Sequence, residues 1–302
     1  MLLNLAVADL EQTINQLGFK TVGISVVILV FCTLLAIFFK KHKKLKLPLF
    51  LTMAVTLVLS TLILFVSTIY LNVKSDSKGP VHWHSDIEFW ACGVELDLRD
   101  PHGVLSNKIG TSTFHEHNDK RIHLEGVVVR KNIDAGLSKF MNVTGGYITT
   151  QSLAVPLNDS ADKWFAGIEQ MDGDKQKTEN IGQVEGFVKQ NGEGYYAEFK
   201  NGEQCDSAPA ELQTFVISFN KQAKTYSQIK LANPTRYTMR GEPLVPPGDC
   251  VIVEFDTPKT RTDKLCRQYG IRDEQRCEEF GAKSYSAELC NIREVTESIG
   301  PF

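Results

Sequence analysis

Two stretches near the start of the chain carry no charge at all: Thr21 to Phe39, 19 residues, and Leu49 to Leu71, 23 residues. A helix needs roughly 20 predominantly apolar residues to cross the hydrocarbon core of a bilayer, so the pattern predicts two membrane-spanning helices. The first run is too long for a cleaved signal peptide, lacks a basic leader and is followed directly by a second span, so it is read as retained. Between the runs, "KKHKKLK" (Lys40 to Lys46) places five lysines in seven residues. Short basic loops stay on the cytoplasmic side, which puts both chain ends outside.

Beyond the spans the period changes from helical to two. "KSDSKGP", residues 74–80, reads as a polar tether. "DIEFWACGVELDL" alternates on either side of Cys92-Gly93 as a hairpin does, and "RIHLEGVVVR" carries the β-branched run of a half-buried strand. "NIDAGLSKFMNV" predicts a short helix, with Asp134 as N-cap, Leu137, Phe140 and Met141 at helical spacing, and Gly145-Gly146 as the stop. "SADKWFAGIEQM" predicts a second short helix, and "GQVEGFVKQNGEGYYAEFKNG" a hairpin turning at Asn191-Gly192. "AELQTFVISFNKQAK" and "GDCVIVEFDT" are strands that pair in one small sheet. In the last segment Cys266, Cys277 and Cys290, spaced 11 and 13 apart in a charged, helix-favouring context, predict a helical appendage stapled by disulfides.

The expected fold is therefore α+β. A short outer segment (1–20) precedes a transmembrane helical hairpin (21–73) with its basic loop at 40–46; a tether (74–80), an extracytoplasmic α+β region (81–258) and a Cys-containing helical tail (259–302) follow. From Gly79 onward there are 25 Lys and Arg against 33 Asp and Glu, an acidic balance that, with no second basic patch, excludes a nucleic-acid partner. Cys32 lies in the first span, whereas Cys92, Cys205, Cys250, Cys266, Cys277 and Cys290 are all outside; an even number in an oxidising compartment permits disulfides, in any of fifteen pairings.

The strongest chemical signal is histidine. Six of the seven, His82, His84, His102, His115, His117 and His123, fall within 42 residues, and none occurs in the 179 that follow. Side chains two apart on a strand share a face, so His82 and His84 can converge on one ion, as can His115 and His117. His123 and Glu125 share a face of the next strand, with Asp119 at the bend, where a carboxylate can ligate an ion or hold a histidine's other N–H. Imidazole with carboxylate suits Zn, Cu(II), Ni or non-haem Fe, and the affinity order favours Cu(II). The metal ligands expected are His82, His84, His115, His117, His123 and Glu125, with His102 in the turn "DPHG" an ordinary loop histidine. Cys92 is a ligand only secondarily; a disulfide half or a small buried hydrophobe is the plainer reading.

The order "HWHSDIEFWACG", "NKIGTSTFHEHNDKRIHLEG", "AGLSKFMNVTGG", "FVISFNKQAK" and "PGDCVIVEF" resembles a group of uncharacterised bacterial membrane-anchored extracytoplasmic proteins with HxH, HxHxD and IHxE motifs. It covers most of residues 80–255, specifically in the histidine region and loosely elsewhere. The resemblance implies a small extracytoplasmic domain on a bacterial cell membrane and brings no established activity. His82, His84 and Glu88 also match part of the first cupin motif, but Gly93 follows after four residues where that motif has six, and no histidine after His123 supplies the second motif. The functional expectation is a membrane-anchored metal-binding protein holding one Cu(II) or Zn ion. The alternatives are a metal-dependent hydrolase or oxygenase at the same site, with Glu88, Glu116 or Glu125 as general base, and an envelope interaction module with structural histidines. No nucleophile elbow, HExxH helix or phosphate loop is present.

Overall fold

The structure, a computed structural model, describes residues 10–101, 107–165, 182–192, 194–220, 225–241 and 249–266. His102, most of the second expected helix beyond Phe165, and the tail with Cys277 and Cys290 lie outside the described residues. The chain divides into two compact units, the first comprising residues up to Pro80 together with Val127–Arg130, the second the remainder.

The first unit holds two long helices, α1 (Leu10–Phe38) and α2 (Lys43–Lys74). Both are long and apolar enough to cross a membrane, and almost none of their apolar surface is covered by protein. α1 begins at Leu10, so part of the expected outer segment is helix continuous with the first apolar run, and the connection shrinks to Phe39–His42 with Lys43, Lys44 and Lys46 in the first turn of α2. Hydroxyls in the helices are satisfied internally: Ser25 donates to Thr21 O, Thr33 to Leu29 O, Thr61 to Leu57 O and Thr68 to Leu64 O, each at 2.7–2.8 Å. That bonding lets a polar residue sit in an apolar surround without an unmade hydrogen bond.

The second unit is built on one mixed sheet in the order β13-β12-β14-β1-β5-β4-β3, with β2 also on β1. Its strands are β1 (Pro80–Ala91), β2 (Val94–Leu96), β3 (Ile109–Gly110), β4 (Phe114–Glu116), β5 (Arg121–Val127), β12 (Glu211–Asn220), β13 (Thr225–Lys230) and β14 (Asp249–Asp256). The expected hairpin at Cys92-Gly93 forms, with both residues at positive φ (49° and 79°), the backbone of a tight primed turn. β12 pairs antiparallel with β14 as expected, but in a sheet of eight strands rather than a small one, because β14 also runs parallel to β1 (Asp86 opposite Cys250, Trp90 opposite Glu254).

Alternation along β1 puts Ile87, Phe89 and Ala91 on one face, where they join Val251, Val253 and Phe255 of β14 in the core. A second sheet covers that face: β6 (Tyr147–Ile148), β7 (Ser152–Leu157), β9 (Gly194–Lys200) and β8 (Val188–Asn191), with Phe199 5.1 Å from Phe255 between ring centroids. The β8–β9 pairing puts Asn191 opposite Gly194, so the turn begins one residue later than the sequence implies. The opposite face divides in two. Over β14 and β12 it is apolar, with Phe215, Ile217, Cys250 and Ile252 packed under Cys266, which is disulfide-bonded to Cys250. Over β1, β5 and β4 it carries the histidines.

The first expected short helix is corrected. α3 (Lys131–Asp134) and α4 (Leu137–Thr144) replace the single helix, and Asp134 ends α3 instead of capping α4, whose N-cap is Gly136 with no side-chain cap bond. The apolar stripe still decides the packing: Leu137, Phe140, Met141 and Thr144 are buried, and the Phe140 ring packs tilted against Phe114 at 5.6 Å between centroids. Of the second expected helix, the described residues form a 3-10 turn, Ala161–Lys163, followed by Trp164, and Phe165 makes a bridge to Leu96. Cys92 pairs with Cys205, binding the β1–β2 turn to the short ladder of β10 (Gln204–Cys205) and β11 (Ala208–Pro209).

Gly145 and Gly146 end α4 for different reasons. Gly145 is left-handed at φ 95°, while a Cβ on Gly146 would stand 2.3 Å from the Ala154 carbonyl oxygen, a backbone atom that cannot yield. Gly146→Ala is therefore expected to lower the unfolding free energy by more than about 1 kcal/mol, read by chemical denaturation, with Gly192→Ala, where a Cβ meets open space, as the mild control. A pH dependence is expected at Glu198. Hydrogen bonds from Lys189 Nζ and Tyr147 Oη (2.5 Å) hold its carboxyl down at about 2 against an ordinary 4.5. A depressed folded value stabilises the fold above the unfolded value and loses that contribution as pH falls from about 4.5 to about 2; Glu198→Gln should flatten the stability profile in that window.

Candidate metal centre

β1 and β5 are neighbours in the sheet, and their period of two sets one polar row on each: His82, His84, Asp86 and Glu88 from β1, Arg121, His123 and Glu125 from β5. β4 adds His115 directly opposite His123 in the antiparallel ladder, their rings stacked at 5.6 Å. His117 follows just past β4. The result is a cluster of five imidazoles. His84 and His117 each meet His123 edge-on, at centroid distances of 4.8 and 4.7 Å. Among the described residues, two groups have donor atoms close enough to hold a metal ion: His82, His84 and His123, and His115, His117 and His123, each within 4.8 Å.

The donor atoms already converge. His82 Nε2 and His84 Nε2 are 3.1 Å apart, and so are His115 Nε2 and His117 Nε2. Two nitrogens bonded to one ion at about 2.0–2.1 Å would stand about 2.9–3.4 Å apart for octahedral to tetrahedral angles, so each pair needs no rearrangement to share an ion. Second groups set which ring nitrogen is available. His117 Nδ1 donates to Asn107 O at 2.9 Å, leaving Nε2 with its lone pair toward the cluster. His123 Nε2 donates to Asp119 Oδ2 at 2.9 Å, leaving a buried Nδ1 that has no hydrogen-bond partner. That is the carboxylate–histidine arrangement found behind metal ligands.

Glu125 reaches the cluster from β5, with Oε1 3.1 Å from His82 Nε2 and Oε2 4.0 Å from His115 Nε2. His82 and Glu125 form an open rim, with 42% and 36% of their side chains exposed, whereas His84, His115 and His123 are buried. Burial, with lesser contributions from the charges of Lys108 and the neighbouring imidazoles, pushes His115 down to about 3, so its ring is neutral and able to ligate at physiological pH. Asp119 sits in a turn whose neighbours Asn118 and Lys120 are both left-handed (φ 64° and 55°). The Glu116 carboxylate holds that turn by accepting the N–H groups of Asp119 (2.5 Å) and Lys120 (2.8 Å). Its other oxygen is buried without a partner, and burial, reinforced by the Asp119 charge, pushes the Glu116 carboxyl up to about 8.

The sequence reading of the site placed five histidines and Glu125 together, and the structure brings all six to one place. It missed Arg121. The guanidinium Nε donates to Asp86 Oδ1 at 2.8 Å, both side chains about 1% exposed, one position along each strand's polar row from His84 and His123. The available signal was parity: Arg121 shares a face with His123 and Glu125. Glu88 and Glu116, expected as candidate bases, line instead a small separate cavity with Glu95, Asn118 and Lys120; there Glu88 accepts the Trp90 indole N–H and Lys120 donates to Glu95. Cys92 is not a ligand, because its sulfur is bonded to Cys205.

Compared with known protein families, curated proteins and solved structures, the chain matches none. Arg121→Met is expected to cost about 3–5 kcal/mol, because it strands the Asp86 carboxylate in a buried setting, while Asp86→Leu with Arg121→Met together should cost far less. Urea denaturation of the two variants against the parent separates these outcomes.

Proposed function

We propose that the chain is a membrane-anchored, outward-facing metal-binding protein whose histidine cluster takes Cu(II) or Zn. The observation that carries the reading is the convergence of five imidazoles from three chain segments, with Asp119 and Asn107 O fixing the tautomers of His123 and His117. Neutral imidazole with a carboxylate at the rim favours these two ions over Ca or Mg, which take oxygen donors. Copper(I) would be better served by thioether or thiolate, and the cluster has neither.

Location follows from three features taken together. Two helices are long and apolar enough to span a bilayer, a lysine-rich connection joins them, and the domain beyond carries two disulfides. A basic connection retained in the cytoplasm places the domain outside, in the compartment where disulfides persist; with the resemblance noted above, this reads as a bacterial cell membrane. The half-exposed rim at His82 and Glu125 favours a site that exchanges its ion with solvent over a sealed structural one. The same rim keeps a hydrolytic reading open, with Glu125 beside any metal-bound water as base.

The test is metal content. The purified full chain in detergent, loaded with Zn or Cu(II) and dialysed, should retain metal; His84→Ala and His117→Ala should each lower retention, and removing the metal with a chelator at constant pH should lower the melting temperature, since a ligand of the native state alone must stabilise it. An unchanged melting temperature with no retained metal would leave the envelope-module reading in its place.

A further inference from the structure

We propose that the cluster holds two divalent ions: one bound by His82 and His84, the other by His115 and His117, with His123 and Glu125 between them. This rests on the reading of the cluster as a metal site and goes beyond it in the number of ions and the division of the ligands.

Three observations point there. The first is donor number. Five imidazoles and Glu125 make six donor groups in one cluster, whereas a Zn site built of protein ligands takes about four and rarely five. The second is spacing. The imidazole donors fall into two trios that overlap only at His123. Within each trio one pair of Nε2 atoms already stands 3.1 Å apart, a separation suited to adjacent positions on one ion. Donors on the same ion at about 2.0–2.1 Å can be no more than about 4.2 Å apart even when trans. Two tight pairs in two overlapping groups describe two centres better than one.

The third is the placement of Glu125. Its Oε1 lies at His82 of one trio and its Oε2 on the side of His115 of the other, so each oxygen faces a different pair. A carboxylate so placed can donate one oxygen to each of two ions about 3.5–4 Å apart, the spacing of two-metal sites. His123, fixed by Asp119 with its buried Nδ1 exposed to neither solvent nor a hydrogen-bond partner, completes one of the two sets.

The experiment is stoichiometry on the untagged full chain in detergent. After chelator treatment, loading with Zn(II) or Cu(II) and exhaustive dialysis, metal analysis should give two ions per chain. His82→Ala with His84→Ala should leave one, and so should His115→Ala with His117→Ala. The Cu(II)-loaded parent should show an electron spin signal broadened or diminished by coupling between neighbouring ions, and each double variant an uncoupled spectrum with one full spin. The parent measurements need no variant, so misfolding of a variant does not block the decision. One ion per parent chain with an uncoupled spectrum overturns the two-ion proposal and leaves the metal-binding reading intact; no retained ion overturns both.

Discussion

β1 and β5 must hold one register for His84 and His123 to meet. Side chains alternate along a strand, so a slip of one residue would turn His82, His84 and Asp86 into the core and bring Ile87 and Phe89 out. That slip is blocked from both sides of β1. On one edge the parallel ladder with β14 fixes six consecutive pairs, from Asp86–Cys250 to Ala91–Phe255. Within the polar row the buried Asp86–Arg121 pair locks β1 to β5 one step from the histidines, since a displaced guanidinium would leave a carboxylate alone at low exposure. Beyond β1, the Cys92–Cys205 bond holds the turn where the strand ends.

The energetic character of the two faces follows from that register. The core face is filled by aliphatic and aromatic side chains and a second sheet, and its stabilisation comes from burial. The polar face is buried too, yet with histidines and carboxylates, which give up hydration and must find partners inside. Each partner contact there has a chemical consequence. Asp119 orients His123, Asn107 O orients His117, and Glu116 shapes the left-handed turn that delivers Asp119. The residues that make the face costly to bury are those that prepare ring nitrogens to receive a cation.

The covering of the sheet also explains why the cluster is accessible. Cys266, bonded to Cys250, brings the segment after β14 over the apolar half of that face, above Phe215, Ile217 and Ile252. The half over β1, β5 and β4 keeps a rim at His82 and Glu125 that solvent reaches. A disulfide thus sets which part of one face is closed and which remains open to a ligand.

Much of this was written in the local pattern. Uncharged length marked both long helices, alternation marked β1 and β5, and the HxH spacings forced His82 with His84, and His115 with His117, onto common faces. Composition also showed that histidine was concentrated in a single stretch. Where local pattern failed, tertiary packing decided: Asp134 ends α3, and Gly136 is the N-cap of α4, whose buried apolar stripe begins at Leu137. Cysteine pairing was open until the fold set distances, bringing Cys92 to Cys205 across 113 residues. Which strands are neighbours was open as well. Parity along a strand is a property of the chain and can be read from it; the adjacency of β1 to β5, and with it the meeting of five rings, depends on pairing between segments distant in the chain, which no local spacing encodes.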